Sequence, residues 1–210
     1  AAAWRAVTVL LTSFLFWTTG DWGQIDMLLC GLVMMSLWCF FTATDPGRSG
    51  RFAGAYVFLG LAMLAKGPVA LGVALALYIG VTLAAGEAGL LKRWHWVWGI
   101  PLACFFPLAW LGIAWLHGAP PEYFSAMLGQ KSFGRVVADS GHARPFYYYL
   151  KSFPVDFLPW TVFLPAAFCA LEPGPLRRRL VTWALLVIGL FSLSVGKRNI
   201  YILAAWPGAA

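Results

Sequence analysis

Residues 61–72 read LAMLAKGPVALG, a single lysine and a proline set inside an otherwise apolar stretch. Apolar or small residues run back from Lys66 to about position 53 and forward from Pro68 to about position 86. Proline cannot donate a backbone hydrogen bond and fits the first turn of a helix, and glycine accepts the backbone angles of a tight turn. The stretch therefore predicts two apolar helices meeting at Gly67-Pro68, with a positive charge at the joint. The 53–65 run is short for a membrane crossing, so the reading pairs it with 68–86 through that turn or extends it upstream into Gly50-Arg51.

The remaining sequence has the same character. Hydrophobic residues make up 61% and charged residues only 11%, with 17% aromatics and 12 tryptophans. Mean hydropathy is +0.76. Soluble domains carry about one quarter charged residues, so a water-facing surface is excluded for most of the chain. Alternating strands of a barrel are absent, and only helices or closed barrels satisfy the backbone in lipid. The fold class expected is an all-α, polytopic transmembrane helical bundle. Apolar runs near 4–19, 25–43, 53–65, 68–86, 97–116, 147–170 and 180–195 give about seven full spans, and a truncated one starts at 200. Both chain ends fall in apolar or small residues, and no signal-peptide pattern opens the chain. The expectation is an internal fragment, 1–210, of a longer transmembrane domain. The four cysteines sit in apolar runs without metal-ligand spacing and read as packing residues.

Charge supplies the orientation. Arg5, Arg48 and Arg51, Lys92 and Arg93, and Arg177, Arg178 and Arg179 fall in alternate short gaps, which the positive-inside rule assigns to the cytoplasm. The net charge of +7 is spread through such gaps rather than gathered on a solvated face, so nucleic acid is excluded as a partner and membrane lipids are expected. The opposite side receives GDWGQID (20–26), Lys66, the 117–146 loop and SVGKRNIY (194–201). Lys66, Lys197 and Arg198 thus lie where basic residues are disfavoured. Two readings stand: the side chains snorkel to headgroups, or they hold an anionic ligand such as phosphate.

The 117–146 loop is the only long gap. Pro120, Pro121 and Glu122 predict a helix start, and 123–137 an interfacial amphipathic segment interrupted at Gly129 and Gly134. DSGHARPFYYYL (139–150) then gathers Asp139, His142, Arg144 and three tyrosines. At least two of Tyr147, Tyr148 and Tyr149 read as an ordinary aromatic belt; His142 is either a solvated loop residue or part of a polar cluster with Arg144. Asp26 opens a span from the outer side, where it either caps the helix or pairs with a cation. Asp156, deeper in its span, reads as the buried partner of a basic group or as facing a wet cavity.

GLAMLAKGPVAL (60–71), ARPFYYYLKSFPVDFLPWTVFLPAA (143–167) and FSLSVGKRNIYILAAWPGAA (191–210), with GQIDMLL (23–29), resemble in order and spacing the membrane part of bacterial polyprenyl-phosphate-dependent glycosyltransferases. These are family 39 of the GT-C class, the aminoarabinose transferase and protein O-mannosyltransferase type. The resemblance covers essentially the whole chain. It implies transfer of a sugar from a polyprenyl-phosphate donor to a lipid, glycan or protein acceptor, in the bacterial inner membrane with the site facing the periplasm. It implies donor-phosphate binding by Lys66, Arg144, Lys197, Arg198 and Tyr201. No cofactor is certain; the resemblance allows a divalent metal near His142. The family's principal carboxylate, the general base toward the acceptor, belongs to a first outer loop that nothing here matches. Asp26 is the one outer-face acid proposed near the site, a candidate catalytic residue whose role reads rather as an acceptor or structural contact, and the fragment alone is expected to be inactive.

The rival class is a transporter or flippase for a lipid-linked sugar or another anion, which also uses intramembrane cations and broken helices. Such folds commonly carry repeats, and the two halves of this chain show none. The transferase reading is the one adopted.

Overall fold

The computed structural model describes residues 2–43, 45, 47–92, 95–125, 127, 144–194, 197–205 and 207. The described residues form helices and turns, with no strand among them. In chain order the helices are α1 (Ala2–Thr12), α2 (Phe14–Asp21), α3 (Ile25–Thr42), α4 (Arg51–Lys66), α5 (Pro68–Ala84), α6 (His95–Leu116), α7 (Pro121–Ser125), α8 (Tyr148–Asp156), α9 (Leu164–Ala170) and α10 (Pro175–Leu193). Short 3-10 helices cover Ala88–Lys92, Trp160–Phe163 and Asn199–Ala205.

The Gly67-Pro68 joint is a turn. Gly67 takes φ 73°, a left-handed value that a side chain disfavours, and Pro68 opens α5 as its first residue. The upstream helix extends back to Arg51, which lengthens the short 53–65 run.

Two helices, α3 and α6, are long and apolar enough to cross a membrane alone, and a third crossing exists if the bent Tyr148–Ala170 segment counts as one span. At 1.5 Å per residue α3 and α6 are about 27 and 33 Å long, near the thickness of a hydrocarbon core. The count of about seven full spans is thus not met: α4 and α5, with 16 and 17 residues, are too short, the Pro175–Leu193 helix carries three arginines, and other runs are broken. The 147–170 run bends by 102° between α8 and Trp160–Ala170, in a stretch punctuated by Pro154 and Pro159. The 4–19 run breaks at Ser13, where the Phe14 N–H donates to the Leu158 carbonyl at 2.8 Å. Trp160 Nε1 donates to Thr12 Oγ1 at 2.8 Å, so each break satisfies polar groups of the other. The residues from 200 onward form a 3-10 helix tucked into the bundle, with Ile202, Leu203 and Ala205 buried.

The centre of the bundle is α3, α4 and α5, with α6 packed on α4 and α10 on α5. Within a membrane, helices associate through close packing and polar contacts rather than through escape from water. Phe40 stacks on Tyr78 with centroids 4.4 Å apart, and His95 stacks on Phe52 at 4.1 Å while its Nδ1 shares a 2.9 Å hydrogen bond with the Tyr56 hydroxyl. Cys30 and Cys39 are buried as packing residues; Cys169 is exposed instead, on the outside of the short α9.

Candidate functional site

The site grows from the ends of three elements. Asp26 lies in the first turn of α3 and Lys66 in the last turn of α4, each at the helix end whose dipole favours its charge. Their side chains form an ion pair, and both are largely withdrawn from solvent. The Lys66 ammonium also sits 4.4 Å from the centroid of the Tyr201 ring, a cation–π distance. Asp26, Lys66, Tyr201 and Phe191 share the wall of a small cavity of about 20 Å³, on the scale of one water molecule. Of the two open readings of Asp26, pairing is the one met: it stands in the first turn with Lys66 as its cationic partner, whereas the N-cap position is Gln24 and no side-chain cap hydrogen bond forms there. Lys66 does not snorkel freely, because its ammonium is committed to Asp26 and Tyr201.

A second cluster lies one 3-10 turn before Tyr201, whose N–H donates to the Arg198 carbonyl at 3.0 Å. Here three consecutive residues are each held by the segment around α8. Lys197, buried, donates its ammonium to the Arg144 carbonyl at 3.1 Å and to the Ser194 carbonyl. The Arg198 carbonyl accepts from the Tyr149 hydroxyl at 3.1 Å. Asn199 Oδ1 accepts from the Tyr148 hydroxyl, and its Nδ2 donates to Asp156 Oδ1 at 2.9 Å. The side chains of Arg198 and Arg144 stay exposed, with the Arg144 guanidinium 5.9 Å from the Tyr148 ring.

The structure thus brings Asp26, Lys66 and Tyr201 into contact, and Arg144, Lys197 and Arg198 into a neighbouring group joined to it through the Asn199–Ala205 turn. Two readings change, and one residue is added. Tyr148 and Tyr149 point inward to hydrogen-bond partners, leaving only Tyr147 exposed as a belt residue; a tyrosine whose hydroxyl finds a buried acceptor does not need the interface. Asp156 is buried at 3% exposure against an amide rather than a basic group. Asn199, not singled out from sequence, is central to the second cluster; its position directly after Lys197-Arg198 was the available signal. His142 and most of the 123–137 segment lie outside the described residues. Among the described residues no group of three His, Cys, Asp or Glu side chains could hold a metal ion. α7 begins at Pro121 as expected, and Tyr123 is tied to α6 by a 2.9 Å hydrogen bond from Trp110 Nε1 to its hydroxyl.

The far end of the bundle carries a different pairing. Arg179, near the start of α10, forms an ion pair with Glu87, which follows α5. Asp26 and Lys66 on one side, and Glu87 and Arg179 on the other, thus mark opposite ends of the α3–α5 core, in agreement with the alternation of gaps.

Comparison with known proteins fits this geometry. The undecaprenyl phosphate-alpha-4-amino-4-deoxy-L-arabinose arabinosyl transferase of Shewanella sediminis is 31% identical over 209 residues, covering 96% of this chain and 38% of that protein. The Edwardsiella ictaluri protein of the same name is 30% identical over 223 residues, covering 98% and 38%. The chain therefore spans about two fifths of the length of these relatives. Among solved structures, ArnT from Cupriavidus metallidurans bound to undecaprenyl phosphate superposes with a TM-score of 0.81 at 22% identity, over 97% of this chain and 38% of that one. The apo structure of that protein gives 0.73 at 20%. The fold is that of the ArnT membrane bundle. With its model matching residues 1–111, the chain belongs to the dolichyl-phosphate-mannose-protein mannosyltransferase family.

Proposed function

We propose that this chain is part of a membrane glycosyltransferase that moves a sugar from a polyprenyl-phosphate donor to an acceptor on the periplasmic side of the bacterial inner membrane. The observation that carries the proposal is the gathering of Lys66, Tyr201, Lys197, Arg198 and Arg144 around one short turn at a single end of an apolar bundle. The names of the relatives support the donor class, since each acts on an undecaprenyl phosphate-linked sugar by its name.

The chemistry asks for such a cluster. Cleaving the bond between the anomeric carbon and the phosphate oxygen leaves the electron pair on that oxygen. Fixed cations in a partly dry site stabilise the developing charge more than mobile ions in water do. In this reading Arg198 and Arg144, whose guanidiniums are exposed, take phosphate oxygens with their planar forks. Lys66 contributes a point charge from the cavity wall, oriented by Asp26 and Tyr201. Asp26, buried against Lys66, holds that lysine; proton removal from the acceptor hydroxyl falls to a different carboxylate.

The test uses the full-length protein in membranes or detergent, supplied with undecaprenyl phosphate-linked 4-amino-4-deoxy-arabinose and, separately, with hexose-linked donors. Transfer from a polyprenyl-phosphate donor, with the donor KM raised about tenfold by Arg198→Ala, is the expected result. A full-length protein that binds no polyprenyl phosphate and moves no sugar from any such donor overturns the reading.

A further inference from the structure

We propose that Asp156 and Asn199 are positioning residues that set where Arg198 presents its guanidinium, so that a buried carboxylate tunes the affinity of the site for a lipid-linked phosphate. The inference rests on the phosphate-binding reading of the Arg198 cluster and deepens it.

Asn199 sits between two groups of opposite hydrogen-bonding character. The Tyr148 hydroxyl donates to its Oδ1, and Asp156 Oδ1 accepts from its Nδ2 at 2.9 Å. An ionised carboxylate can only accept. A flipped amide would set carbonyl oxygen against carboxylate oxygen, so Asp156 dictates one sense of the amide. That sense in turn fixes the Tyr148 hydroxyl as a donor. Both tyrosines next to each other on α8 are engaged with this turn, since Tyr149 donates to the Arg198 carbonyl at 3.1 Å. The backbone of residue 198 is therefore held from its own carbonyl and from the side chain that follows it, while its guanidinium is left exposed.

Asp156 is an expensive way to align an amide. It is 3% exposed, with the Asn199 amide and the Ser152 hydroxyl as its hydrogen-bonding neighbours and no basic group paired with it among the described residues. A carboxylate placed in a membrane bundle carries a large desolvation cost, and an apolar residue would fill the space without it. A group of this kind beside a turn that carries two cations is better explained by control of that turn than by packing. Lys197 strengthens the case. Its ammonium is directed inward to the Arg144 and Ser194 carbonyls, so in this turn it is Arg198 that faces outward, and its placement depends on the Asn199 clamp.

The experiment measures undecaprenyl phosphate binding to the full-length protein in detergent, for wild type and for Asp156→Asn, Asp156→Leu, Asn199→Leu and Tyr148→Phe. Asp156→Leu and Asn199→Leu should each weaken binding about tenfold, the scale of one hydrogen bond to a charged group. The double variant should be no weaker than either single one, because both remove the same clamp. Asp156→Asn keeps an acceptor oxygen and should stay within about threefold of wild type, a rescue that lost packing alone does not give. Tyr148→Phe leaves the carboxylate in place and should fall between. Asp156→Leu and Asn199→Leu binding like wild type overturns the inference while leaving the phosphate reading intact. Asp156→Asn as weak as Asp156→Leu also overturns it, since charge rather than amide alignment would then matter. Should either leucine variant fail to fold, Tyr148→Phe with wild-type affinity overturns it alone. Wild-type protein that binds no undecaprenyl phosphate removes the underlying reading, and the inference with it.

Discussion

Lys66, the last residue of α4, closes onto Asp26 in the first turn of α3, and the two form an ion pair across the joint between the central helices. Each charge stands at the helix end whose dipole favours it, so the pair and the dipoles reinforce one another. Taking one member away strands the other in a largely dry place, which costs about 3–5 kcal/mol for a buried pair.

Asp26→Ala and Lys66→Ala in the full-length protein are each expected to lower the unfolding midpoint in detergent by several degrees. The double change to two leucines should recover most of that loss, since paired burial of charge is weak net stabilisation. Swapping the charges, Asp26→Lys with Lys66→Asp, should recover less than the leucine pair because both dipoles then oppose the side chains. A swap as stable as wild type would show that the dipole contribution is negligible.

Lys66 has a second role in the proposed reaction, and the two roles separate. In the Asp26→Leu, Lys66→Leu protein, stability returns but the point charge near Tyr201 is gone. Sugar transfer is expected to stay reduced about tenfold or more, the worth of a charge-assisted hydrogen bond of about 1.5–3 kcal/mol. Transfer at the wild-type rate in that stable double variant would confine Lys66 to structure.

How far the sequence went is clearest at these residues. The Gly67-Pro68 turn was legible because glycine and proline each have one dominant backbone meaning, and the helical bundle was legible from apolar run length. The charges of Lys66, Lys197 and Arg198 were legible as anomalies because lipid makes a misplaced charge conspicuous. Their partners were not. Nothing in GQIDMLL states that Asp26 meets a lysine forty positions later, and hydrogen bonds such as Tyr148 to Asn199 depend on where a bent segment folds back. The bend itself was hidden by composition: 147–170 is mostly apolar, interrupted by Lys151, Ser152 and Asp156, and only Pro154 and Pro159 hinted that it would not run straight.

Lys197 and Arg198 are adjacent but predicted to fail differently. Lys197 is 5% exposed and spends its ammonium on two carbonyls, so Lys197→Ala should chiefly loosen the Arg144 segment. Faster proteolysis near residue 144 and a lower unfolding midpoint are the expected signs. Arg198→Ala should leave stability within about 0.5 kcal/mol of wild type, as for an exposed substitution, while raising the donor KM about tenfold. Arg198→Lys should recover only part of that, because an ammonium lacks the guanidinium fork. Equal loss of stability in both alanine variants would contradict the division.

The contact of α4 with α6 gives a prediction about the bundle alone. A Cβ added at Gly60 would lie 2.7 Å from the Ala103 carbonyl oxygen and 2.5 Å from the Phe106 ring. The ring can rotate aside; the backbone oxygen moves only if the helices part. In a membrane the helices are held by this close approach and not by a hydrophobic drive, so separation forfeits dispersion contacts that lipid replaces only in part. Gly60→Ala should therefore cost about 1–3 kcal/mol, the range for overpacking a tight interior. Gly72, where an added Cβ meets nothing within 4 Å, serves as the control, and Gly72→Ala should match wild type or exceed it through better helix propensity. Unfolding of the full-length protein in detergent, followed by tryptophan emission, measures both. If Gly60→Ala unfolds no earlier than Gly72→Ala, the α4–α6 approach is looser than the structure has it, and with it the placement of Lys66 at the end of α4.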